Sequence, residues 1–141
     1  MKRIYLLILG LLLGIAVSGF FCSSVSQSGD KADLFYAHIK NSEFDKVIDL
    51  IDEQALKTHS KEKWIALLQS RSEHWGNLVS YKNTGFHTET ANGVTITKLD
   101  FMVDNANGKV YERIDFVKRG SDYKILAYEF NPDKDKIGKN N

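Results

Sequence analysis

Trp64-Ile-Ala-Leu-Leu-Gln-Ser-Arg71-Ser-Glu-His-Trp75-Gly76-Asn-Leu-Val-Ser80-Tyr81 is the stretch in which the chain changes periodicity. Before Gly76, the apolar residues Trp64, Leu67, Leu68 and Trp75, joined by Arg71, recur every three or four positions, as the buried stripe of one helix does. Ser60 is placed to cap this helix, which is predicted through His74, and Gly76 to end it. After Gly76, β-branched and aromatic residues alternate with polar ones, the period of a strand with one face buried.

Downstream, the alternation predicts four strands, over 77–89, 93–104, 109–118 and 123–130. They are joined by Asn92-Gly93, Asn107-Gly108 and Gly120-Ser121-Asp122, which suit hairpin turns. An antiparallel meander is the simplest arrangement. In the second strand the apolar parity moves from Val94 and Ile96 to Leu99, Phe101 and Val103, which predicts a bulge or strong bend near Lys98. Upstream, Asp30 is an N-cap for a helix to about Asn41 with an apolar face of Leu34, Phe35, Ala37, His38 and Ile39. A second helix over 43–52 places Phe44, Val47, Ile48 and Ile51 at helical spacing. The expectation is an α+β domain over 31–130, with N-terminal helices packed on a curved four-stranded antiparallel sheet. The Ser-, Gln- and Gly-containing stretch 23–30 reads as a flexible tether, and 131–141 as a disordered tail.

The first 22 residues have a different character. Lys2 and Arg3 precede an uncharged run over 4–22, dominated by Leu, Ile, Val and Phe. At about 1.5 Å per residue, this run nearly spans a hydrocarbon core of about 30 Å, and the two cations favour a cytoplasmic N-terminus. The segment is therefore a signal peptide or membrane anchor, and the domain is expected on the extracytoplasmic side of the inner membrane, in the cell envelope. Three fates stay open. The segment can remain as an anchor, be cut after Ser18 behind Ala16-Val17-Ser18, or be acylated at Cys22. The last placement resembles a bacterial lipoprotein, although Phe21 stands where that pattern has a small residue. As the single cysteine of the chain, Cys22 has no intramolecular disulfide partner.

With 43% hydrophobic residues the chain has the composition of a folded domain, and its formal net charge of +1 provides no basic face for nucleic acid. No phosphate loop, nucleophile elbow or HxxxH spacing occurs, so no cofactor or metal is expected. The order of helices and then long strands, with the 64–81 segment and the closing Tyr123-Lys-Ile-Leu-Ala-Tyr-Glu-Phe130, resembles small bacterial exported domains of unknown function. These belong to the nuclear transport factor 2-like and cystatin-like superfamily. The resemblance covers about residues 31–130 and implies a cone-shaped fold that hosts enzymes and binding modules alike.

Enzymes of that superfamily use an Asp or a His inside the cone, and parity offers three candidates here. Glu112 shares a strand face with Val110, Ile114 and Phe116; Asp100 lies near the expected bulge; His38 falls on the stripe of the first helix. Each has a plainer reading: a solvated or salt-bridged surface carboxylate for Glu112 and Asp100, and a hydrogen-bonded core histidine for His38. Arg71 is expected to cap the last carbonyls of its helix. The reading that results is a non-catalytic module for a small apolar ligand or an envelope protein, with a small lyase or isomerase as the alternative.

Overall fold

The computed structural model describes residues 25–139. The segment 1–22 and Cys22 within it, and hence the three fates, lie outside the described residues. Among the described residues, no helix is long and apolar enough to cross a membrane. The described residues form an α+β fold, with four helices packed on one face of an open antiparallel sheet.

Helix α1 covers 25–40, α2 Phe44–Ile48, α3 Glu53–Thr58 and α4 Lys61–Trp75. Four strands follow: β1 Leu78–Ala91, β2 Val94–Asn105, β3 Gly108–Arg119 and β4 Asp122–Asn131. They pair in the order β1-β2-β3-β4, the meander expected from the sequence. The core lies between the layers and is built from Phe35, Tyr36, Val47, Leu68, Leu99, Ile114, Phe116 and Ile125, all buried.

Several expectations need correction. Helix α1 already includes 25–30, so these residues are not a tether, and Asp30 lies inside the helix instead of capping it. Its buried face is Ser28, Ala32, Phe35, Tyr36 and Ile39, while Leu34 and Ala37 point to solvent. The single helix expected over 43–52 is interrupted. Leu50–Asp52 instead runs beside β4, with Ile125 N–H donating to Leu50 O and Asp52 N–H to Ile125 O, each at 2.8 Å. This short parallel bridge satisfies backbone groups that a continued helix would have satisfied internally. Asp52 then caps α3 by accepting from Gln54 N–H at 3.0 Å.

β2 carries no bulge near Lys98, since its pairing with both neighbours is continuous there. Thr97 takes the inward position and bonds Thr88 across the pair at 3.2 Å, which leaves Ile96 on the outer face. The irregularities fall in the outer strands: between Leu78 and Ser80 and between Asn83 and Gly85 in β1, and at Leu126 in β4. The tail is not featureless either. Lys134–Lys136 forms a 3₁₀ turn, and Gly138 N–H donates to the Glu129 carboxylate at 2.9 Å.

The end of α4 is fixed by the β2–β3 turn. Gly76 adopts φ 76°, and Asn107 supplies its backbone N–H to Trp75 O at 2.9 Å and its side-chain amide to His74 O at 3.3 Å. Asn107 thus performs the capping expected of Arg71 and ties the helix layer to the sheet.

Candidate functional site

Two places in the fold gather the chemistry. The first lies between the layers. Arg71, on the stripe of α4, is fully buried and reaches β3, where its Nη2 and Nε stand 2.6 and 2.8 Å from Oε1 of Glu112. Nε also donates to the Tyr128 hydroxyl at 3.0 Å and Nη2 to Asn105 Oδ1 at 3.2 Å. On the other side, the Tyr36 hydroxyl donates to Oε2 of Glu112 at 3.0 Å. Neither member of the ion pair has any side-chain exposure.

Burial pushes the Glu112 carboxyl up, and the charge and hydrogen bonds of Arg71 oppose it. Burial would lower Arg71, but the charge of Glu112 and the neighbouring Tyr128 outweigh it and keep the guanidinium above its usual value. The Tyr36 and Tyr128 hydroxyls are driven well up, first by burial and then by the charge of Glu112, so both stay protonated. Around this cluster the aromatic rings close in. Tyr36 stacks on Tyr81 at 4.1 Å between centroids, and Phe35 meets Tyr128 at 5.1 Å. Glu112 therefore points inward as parity predicts, but it is not the surface carboxylate of the plainer reading. With both oxygens engaged and no exposed surface, it works as a latch from β3 to α1 and α4.

The other two candidates stand apart from it. Asp100 faces the outer side of the sheet, where Arg113 grips it through two bonds of 2.7 and 3.0 Å. His38 is at the rim and not in the core, its Nδ1 2.8 Å from the Glu43 carboxylate just past the end of α1. The structure does not bring the three together. Among the described residues, no group of three or more His, Cys, Asp or Glu side chains could hold a metal ion.

The second place is a groove of about 480 Å³ between α3, α4 and β4. It exists because the Leu50–Asp52 bridge covers the edge of β4 only at Ile125. Beyond it the chain turns away into α3 and leaves Leu126, Ala127 and Tyr128 as one wall. Ala55 and Trp64 form the buried floor, and Leu67, 37% exposed, stands over it. Thr58, His59 and Lys63 lie along the remaining border. The indole N–H of Trp64 is buried and has no hydrogen-bond partner among the described residues. Trp64 and Leu67 are both legible in sequence as members of the α4 stripe, but the opening beside them is not, because it depends on where α3 leaves β4. No protein-family model matches the chain, and no curated protein matches it.

Proposed function

We propose that this chain is a non-catalytic binding module of the cell envelope, held at or exported across the inner membrane by its N-terminal segment, that takes an apolar guest in the groove between α3, α4 and β4. The groove carries this reading: Ala55, Trp64, Leu67 and Leu126 surround a space of about 480 Å³. Pockets for small molecules usually measure about 300–1,000 Å³. A recess walled by three elements suits a small ligand better than the flatter surface of an envelope protein. The guest sits at the side of the fold, since Arg71, Glu112, Tyr36 and Tyr128 occupy the space between helices and sheet.

The compartment rests on Lys2 and Arg3 ahead of the uncharged run 4–22. Helices preceding an antiparallel meander with bulged outer strands support the cone-shaped, nuclear transport factor 2-like reading of the fold. The alternative of a lyase or isomerase draws no support from Glu112, whose carboxylate has no surface for a substrate to reach.

Photolabelling of the full chain in lipid nanodiscs with a diazirine-bearing dodecanol tests the groove. Mass spectrometry is expected to place the label within 54–67 and 126–128, and Leu67→Glu to abolish it there. Label spread evenly over the domain would overturn the proposal. For the compartment, alkaline phosphatase fused after Asn141 is expected to be active, and an inactive fusion with normal expression would sink that part.

A further inference from the structure

We infer that the guest of this groove is a single-chain amphiphile with an anionic head, its chain on Trp64 and Leu67 and its head at Lys63. The inference rests on the groove being the binding site and concerns only what kind of molecule it selects. Charge is the first argument. Among the described residues no carboxylate lines the groove and Lys63 has no ion-pair partner, whereas Lys61, two residues earlier, is held by Asp45 at 3.2 Å. The neighbouring surface, lined by Asp49, Asp52 and Glu53 together with Lys57, Arg119 and Lys124, has both signs present and balanced. An unpaired ammonium beside an apolar floor favours a guest that brings one negative charge at one end.

Polarity is distributed to match. Ala55, Trp64, Leu67 and Leu126 give the lining its apolar part, and Thr58 and His59 add polar side chains beside Lys63. Size limits the guest further: about 480 Å³ lies toward the lower end of the usual range and suits one acyl chain better than two. The occupant is therefore a free monoacyl anion and not a bilayer lipid, which would bring a second chain with the same kind of head.

The experiment uses the full chain in zwitterionic nanodiscs and three diazirine probes: dodecanoate, dodecanol and a diacyl phosphatidylglycerol. Dodecanoate is expected to label 54–67 and 126–128 at least about threefold more efficiently than dodecanol, a preference of the size an exposed ion pair supplies. Lys63→Glu, at an exposed position, is expected to remove or reverse the preference while dodecanol labelling persists. Equal labelling by the acid and the alcohol would overturn the anionic head and leave the groove intact as a site. Equal labelling by phosphatidylglycerol would overturn the single chain. Loss of groove labelling by every probe would instead remove the reading on which the inference rests.

Discussion

Nη2 of Arg71 lies 2.6 Å from Oε1 of Glu112, in an ion pair that crosses from the last helix to the third strand with both side chains wholly withdrawn from water. Taking two charges out of water is costly, and an ion pair so placed is retained only with additional hydrogen bonds, here from Tyr36 and to Tyr128 and Asn105.

Removing one partner strands the other. Arg71→Met or Glu112→Leu alone is expected to cost about 3–5 kcal/mol, and the double variant far less than the sum. Urea denaturation of all four proteins forms the cycle. Additive losses would mean that the two charges do not depend on each other.

Adjacent positions on α4 should differ sharply. Leu68 has no exposed surface, whereas Leu67 stands over the groove. Leu68→Ala is expected to cost about 2–5 kcal/mol and Leu67→Ala less than about 1 kcal/mol. Comparable losses at the two positions, read by thermal or urea unfolding, would contradict the open groove.

Acid should weaken one specific clamp. Asp52 is buried, and two bonds from Arg119, at 2.8 and 2.9 Å, hold its carboxyl below the usual range, helped by Gln54 N–H. A lowered native value means the bond contributes above the unfolded value of about 3.9 and is lost as pH falls through the folded one. Asp52→Asn keeps a capping residue for α3 and should be less stable than the parent at pH 7, with the gap narrowing by pH 3. A gap that is constant with pH would refute the clamp.

Gly76 and Gly93 share φ 76°, but they differ in what surrounds them. A Cβ on Gly76 would come within 3.1 Å of Ala106 Cβ and of the Asn107 amide, while Gly93 faces open space. Gly76→Ala is expected to lose more than about 1 kcal/mol beyond the loss from Gly93→Ala, which carries the left-handed penalty alone. Equal melting temperatures for the two variants would show that the β2–β3 turn does not press on the end of α4.

The Tyr81 phenol is half-buried, donates to Asp33 at 2.7 Å and is pushed up to about 12, by burial first and by Asp33 second. In Asp33→Asn its titration, followed by NMR of ring-labelled tyrosine, should move back toward 10. No movement would mean the bond is not made in solution.

The sheet was the most legible part of the sequence, because period-two patterning and glycine turns are local signals. All four strand boundaries lie within about two residues of their expected places. Failures came where a distant backbone or side chain decided the outcome. Leu50–Asp52 left its helix for Ile125, and Thr97 took an inward place by pairing with Thr88. Arg71 and Glu112 each stood on an apolar stripe of its own element. Two opposite charges on two inward faces are the signal that could have paired them, where each read singly suggested a cap and a surface acid.

The short bridge of Leu50–Asp52 makes the two margins of the sheet unequal. β4 is covered at Ile125 alone, whereas among the described residues the outer side of the 14-residue β1 has no neighbouring strand. The bridge at Ile125 interrupts any strand that would run along β4, so of the two margins β1 is the longer continuous template for another strand.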